Sequence, residues 1–199
     1  LVPTVVLLGA NWDNENPAVW DPPFVAWVEV ATLSDQAILR QLDQMAVCDL
    51  YASFTSQTAT RLMLAGELAR AINDRWPLTG QGLDDLELAL HEALSNALLH
   101  GNLQLDSMAG LTLDALDRFS NDLTRRMADP LYANRRVEIS CQVQGRSITV
   151  DVVDQGSGFV ARTKKEGGAC GRGLTLIGVS CQAYELLDGG RRIRMRFGL

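Results

Sequence analysis

The second half of the chain alternates. Val137, Ile139, Cys141 and Val143 are separated by Glu138, Ser140 and Gln142, and Ile148, Val150 and Val152 by Thr149 and Asp151. Near the end, Arg192, Arg194 and Arg196 alternate with Ile193, Met195 and Phe197. Successive side chains of a strand point to opposite faces, so a period of two means strands with one apolar and one polar face. Half-solvated strands of this kind build a mainly antiparallel sheet. Gly145-Arg146 and Gly189-Gly190 fall between the runs as turn signals. The apolar face needs a cover, and the residues before and between these strands supply helices for it.

A helix is expected from Thr55 or Ser56 to about Asn73, with Leu62, Leu64, Ala65, Leu68, Ala69 and Ile72 as its apolar positions. Pro77 and Gly80-Gln81-Gly82 interrupt it. Asp84-Asp85 then opens a second helix, placing negative charge at the positive end of its dipole. Residues 174–182 form a third. The order helix, helix, strand, strand, helix, strand, strand predicts an α+β fold: a two-layer α/β sandwich whose mixed, mainly antiparallel sheet carries helices on one face and water on the other. Residues 47–199 make up this domain, with a helical insertion over about 103–134. In the insertion Leu113, Leu116, Phe119, Leu123 and Met127 follow helical spacing, Thr112 is a cap and Asp129-Pro130 a stop. It reads either as a packed insertion or as a surface for a homodimer or another partner. Residues 1–46 form an N-terminal extension: a strand at 5–8, a loop ending at Pro22-Pro23, a strand at 24–30, and a helix at 36–45 capped by Ser34 or Asp35.

Composition removes several functions. At 47% hydrophobic residues the chain is globular rather than disordered, and its net charge of −6 makes it a poor binder of nucleic acid. The four cysteines, Cys48, Cys141, Cys170 and Cys181, form no C-x-x-C pair, and only two histidines could join them, so neither a zinc site nor a disulfide framework is expected. They read as reduced packing residues of a cytoplasmic protein. No apolar run is long enough for a membrane span, and the first residues lack the basic start of a signal peptide.

Three blocks carry chemistry. The first is the helix over residues 86–102. Residues four apart share a helical face, so Glu92, Asn96 and His100 form a polar stripe opposite Leu86, Leu90, Ala93, Leu94 and Ala97. An Asn oxygen is a hard neutral ligand suited to Mg²⁺, and a Glu one turn earlier can accept a proton from an attacking hydroxyl. Taken alone, the stripe fits an ordinary polar helix face equally well. The second block is Asp154-Gln155-Gly156-Ser157-Gly158, at the end of a strand. Such an Asp can accept a hydrogen bond from the amino group of adenine, and the glycines let the backbone pass close to a flat base; a simple Asp-x-Gly turn is the bland alternative. The third runs from Gly167 through Gly171-Arg172-Gly173 into an apolar helix starting at Leu174. Free amides at a helix start bind phosphate, although a surface loop has the same composition. Arg162, Lys164 and Lys165 precede it, as a lid over a polyphosphate or as a solvated linker. No Walker-type P-loop occurs, and the glycines do not make a Rossmann fingerprint.

In this order the three blocks resemble those of the Bergerat-fold (GHKL) ATPases, the superfamily that holds the DNA gyrase ATPase and the histidine kinases. Glu92 to Asn96 resembles the N box, Asp154-x-Gly156-x-Gly158 the first glycine box and Gly171-x-Gly173 the second. Glu92-Ala93-Leu94-Ser95-Asn96-Ala97-Leu98-Leu99-His100-Gly101 is similar to the corresponding stretch of the anti-sigma-factor serine kinases. The resemblance implies ATP and Mg²⁺ as cofactors, Glu92 as catalytic base, Asn96 as Mg²⁺ ligand and Asp154 as adenine-binding residue. It adds Gly156, Gly158, Lys164, Gly171, Gly173 and Leu174 to the nucleotide site. It implies a serine kinase acting on an anti-anti-sigma-like partner, or a factor that holds a sigma factor inactive. Residues 1–46 resemble the last third of a response-regulator receiver. Two other functions stay open. One is a histidine-kinase-type catalytic domain in a two-component pathway, acting on a His of another polypeptide because His91 and His100 both lie in the nucleotide helix. The other is a module for which ATP is only a conformational ligand.

Overall fold

The computed structural model describes residues 4–9, 12, 16–107, 110, 112–158 and 172–199. Among the described residues seven strands form one mixed sheet: β1 (Thr4–Leu8), β2 (Phe24–Glu29), β3 (Leu50–Thr55), β4 (Arg136–Gln144), β5 (Ser147–Asp154), β6 (Ala183–Leu187) and β7 (Arg192–Gly198), in the order β1-β2-β3-β4-β5-β7-β6. The first three are parallel. The remaining pairings are antiparallel, as the alternation requires. Strands from the first 46 residues thus continue the sheet of the later domain.

One face of the sheet carries the main core. Trp27, Phe54, Ile139, Val150, Val152, Met195 and Phe197 join Leu68 and Ile72 of helix α3 (Leu64–Arg75), Leu86 and Leu90 of α4 (Gly82–Ser95) and Ile177 of α7 (Arg172–Ser180) in one cluster. The α+β sandwich is therefore as expected, with one addition. Helix α1 (Asp35–Met45) covers the opposite face, where Ala26, Val28 and Tyr51 pack with Leu33 and Met45. Its Gln41 accepts from the Tyr51 hydroxyl at 2.8 Å and donates to Glu138 at 3.2 Å. Parallel strands are normally buried on both faces, and all six residues of β3 are buried. Beyond α1 this face is polar, with Asp151 between Arg192 and Arg194.

Local chemistry explains the helix ends. Ser34 caps α1 by accepting from Ala37 N, and Thr112 caps α5 (Leu113–Ala128) by accepting from Ala115 N. Pro130 begins the short α6 (Pro130–Ala133), which Asp129 caps. The single helix expected from residue 56 is instead two, α2 (Ser56–Arg61) and α3, because Leu62 is extended. Within α2 the Thr60 hydroxyl donates to Ser56 O at 2.7 Å, a back-bond that bends helices, while buried Glu29 holds Thr55 and Thr58 by their hydroxyls. No Gly or Pro marks the break.

No residue of α5 is buried, and Leu113 and Leu116 are 80% and 51% exposed. Cys48, Cys141 and Cys181 are free thiols; Cys170 lies outside the described residues. Among the described residues no helix is long and apolar enough to cross a membrane.

Candidate nucleotide site

Helix α4 does not stop at Ser95. It widens into a π-helix over Asn96–Asn102, visible in the bond from Leu103 N back to Leu98 O. Such wide turns occur often at functional sites. The helix meets the end of β5 and the start of α7 around a cleft of about 510 Å³. Glu92, Asn96 and His100 all line it, so the polar stripe survives the change of helical period.

The predicted residues converge there from three elements. Asp154, Gly158, Gly173 and Leu174 line the same cleft as Glu92 and Asn96. Gly156 does not. It stands behind the wall, where a Cβ would run into the carbonyl of Gly101. Lys164, Gly171 and the proposed lid lie outside the described residues.

Contacts between the blocks are close enough to require glycine. A Cβ on Gly173 would stand 2.8 Å from Glu92 Oε2 and 3.2 Å from Asn96 Nδ2. The start of α7 therefore lies directly against the carboxylate-amide pair of α4. A Cβ on Gly101 would stand 2.5 Å from Asp154 Cγ. Gly158 has φ +85°, in the left-handed region, and passes close to Gly189 O.

Asp154 sits at the floor. Burial pushes its carboxyl up to about 6, against the Gly156 amide, which donates at 2.7 Å, and the field of Arg191 and Arg135. Its own amide donates to Arg191 O at 2.9 Å. A carboxylate acceptor facing an apolar-walled cleft suits an aromatic amine donor.

Sequence reasoning gave four residues no role in the site. Arg172 and Arg191 line the cleft and add positive charge beside the acids. His100, which carried no assignment beyond ending the helix, has Nδ1 2.7 Å from Leu105 O. A carbonyl only accepts, so Nδ1 bears the proton and the ring ties the π-turn to the segment after it. Asn102 is fully buried and bonds to the loop that follows Asp154. It was part of the helical segment read from the sequence, but only its place beside Gly101 hinted at a task.

The sequence of this cleft matches a known domain. A family model described as the histidine kinase-like ATPase domain matches residues 55–197. The chain belongs to this family. The match starts at the end of β3 and takes in α4, the Asp154 turn and α7, the elements that wall the cleft. This histidine kinase-like ATPase domain is of the ATP-binding GHKL type, and the cleft is the candidate for its nucleotide site. No curated protein shows significant similarity to the chain.

The residues present fit the nucleotide. The glycines let the three elements close around one cleft with no side chain between them, and a helix start faces the Glu92–Asn96 pair. Among the described residues no group of three His, Cys, Asp or Glu could cage a metal. Asn96 as a single hard ligand suits instead a Mg²⁺ that shares phosphate oxygens and keeps several waters.

Proposed function

We propose that this protein is an ATP- and Mg²⁺-dependent protein-serine kinase that works as a partner-switching regulator of the anti-sigma type. The observation that carries this reading is the approach of Gly173 to Glu92 and Asn96. It brings Glu92, Asn96 and the start of α7 into one small volume, which supports their use as proton acceptor, metal ligand and phosphate-binding amides. Mg²⁺ would neutralise charge on the phosphates. Asn96 would hold it, and Asp154 would hold the adenine amino group. Glu92 would take the proton of a partner's serine hydroxyl as its oxygen attacks the γ-phosphorus, with ADP leaving on the far side. The amides at the start of α7, with Arg172, would stabilise the phosphate charge.

The partner would be an anti-anti-sigma-like protein or a sigma factor. The exposed Leu113 and Leu116 of α5 support a contact role for the insertion, with such a partner or within a homodimer. The reduced thiols and acidic balance support a cytoplasmic setting without nucleic acid as ligand.

A second reading draws on the family itself. The domain would serve as the catalytic ATP-binding part of a two-component system and phosphorylate a His on another polypeptide. Incubation with γ-labelled ATP and candidate partners decides between the two, with Glu92→Ala as control. Acid-stable phosphoserine on a partner supports the serine kinase, and acid-labile label supports the second reading. ATP binding without any transfer makes the nucleotide a conformational ligand. If the wild type binds no Mg-ATP, both readings fall.

A further inference from the structure

Behind Asp154 three residues close a ring of hydrogen bonds. Gln155 N donates to Asn102 Oδ1 at 2.8 Å. Asn102 Nδ2 donates to Arg136 O at 3.0 Å. Arg136 N donates to Gln155 Oε1 at 2.9 Å. Asn102 is fully buried, so both ends of its amide are committed to this ring, out of reach of water. Arg135 adds a bond from its guanidinium to Asn102 O at 2.7 Å.

The ring governs both sides of Asp154. Gly101, the residue before Asn102, is the backbone against which the Asp154 carboxylate rests. Gly156, the residue after Gln155, donates its amide to Asp154 Oδ1. A shift of Asn102 would therefore move the floor beneath the carboxylate and the turn that orients it. The ring also reaches beyond the matched domain. The Arg136 guanidinium is buried and donates to Ser53 Oγ, Ser53 O and Glu29 O, each at 2.8 Å. Glu29 ends β2, in the N-terminal extension, and its carboxylate accepts from Thr55 N at 2.7 Å.

We infer that Asn102, with Gln155 and Arg136, is a positioning clamp that aims the Asp154 carboxylate and so sets the preference of the cleft for an adenine amino group, and that β2 anchors the clamp through Arg136. This rests on the reading of the cleft as an ATP site. The clamp touches no ligand and acts through the placement of Asp154.

The probe is a pair of nucleotides, Mg-ATP and Mg-ITP. They differ at the base edge, where hypoxanthine offers a carbonyl in place of the amino donor. A carbonyl facing a carboxylate finds no hydrogen bond, so the wild type should prefer ATP. Asn102→Ala breaks the ring, while Gln155→Ala removes one bond at an exposed side chain and leaves the core intact. In both variants the ATP-over-ITP ratio of dissociation constants should fall about tenfold, through weaker ATP with ITP little changed. A purely structural role would weaken both nucleotides together or neither, and that result overturns the clamp. Amide exchange of Gln155 and Gly156 gives a readout without ligand. It should accelerate at least about tenfold in Asn102→Ala, and unchanged exchange also overturns the inference. If the wild type binds neither nucleotide, the ATP reading fails, and amide exchange still judges the clamp.

Discussion

Gly101 and Asp154 meet with no room between them: any side chain at 101 would enter the space of the carboxylate, with Cγ and Oδ1 2.5 and 2.6 Å from its first carbon. One residue thus belongs to the helix and the other to the strand end, and their contact joins the first two sequence blocks. Gly101→Ala should push Asp154 aside, weaken ATP binding by at least tenfold and cost about 1–3 kcal/mol of stability through overpacking. Calorimetric titration and urea unfolding measure the two effects; an alanine variant with wild-type affinity would show that the contact is slack.

Asp154 also gives a pH signature. Its folded pKa, about 6, lies above the ordinary carboxyl value, so between about pH 4 and 6 the folded state holds more protons than the unfolded one. The contribution of this group to stability therefore declines as pH rises through that window. Thermal melts of Asp154→Asn against wild type should show the variant gaining relative stability from pH 4 to pH 7. ATP binding should behave in the opposite sense. With Asp154 as the proposed adenine acceptor, binding would need it ionised, so affinity in the wild type should fall as pH drops below about 6. A flat affinity profile from pH 7 to 5 would separate Asp154 from the base.

Glu92 and Gly173 test the other end of the cleft. Glu92→Gln keeps the shape and removes the proton acceptor, so phosphotransfer should fall by at least about 100-fold while Mg-ATP affinity changes less than threefold. Gly173→Ala puts a methyl group 2.8 Å from Glu92 Oε2 and should weaken nucleotide binding itself. Filter binding and single-turnover transfer assays distinguish the two patterns.

On the opposite face of the sheet, Asp151 accepts from Arg194 at 2.8 Å through both carboxylate oxygens and from Arg192 at 3.1 Å. Burial pushes its carboxyl up, but the bonds from Arg194 and Arg192 outweigh this and hold it below the usual range. Its stabilisation is present above the unfolded pKa and is lost as pH falls through the lower folded one. Asp151→Asn should cost about 1–3 kcal/mol at pH 7. The gap from wild type should narrow as pH falls below the ordinary carboxyl range, as denaturant midpoints across pH would show.

The α5 surface separates stability from contact. Leu113→Ser with Leu116→Ser should leave the melting temperature within about 2 °C, since both side chains are largely exposed. The same pair should reduce capture of a genuine protein partner or the mass of a dimer, read by light scattering.

Much of the site was readable because its chemistry is local. The strand alternation, the Ser34 and Thr112 caps, the acidic start of α4 and the two glycine-rich turns each depend on neighbours within a few residues. The same holds for the Glu92–Asn96 pair, whose common face follows from one turn of helix. The arginines of the last strand were readable only as a polar face. Their pairing with Asp151 depends on the β5–β7 register.

What no pattern could reveal depends on residues far apart in the chain. The second face of β2 and β3 needed α1, and nothing in 36–45 says which side of a sheet an amphipathic helix will take. The break at Leu62, where the backbone turns extended, has no Gly or Pro to announce it. Asn102, Arg136 and Gln155 look like unremarkable polar residues until folding buries the first two and brings all three together as partners. Local propensity and spacing thus settled most of the elements and nominated the candidate site residues, since those are short-range properties. The depth of Asp154, its raised pKa and the contact of Gly173 with Glu92 came from the packing of α4, β5 and α7, because burial and close approach exist only once distant segments share one core.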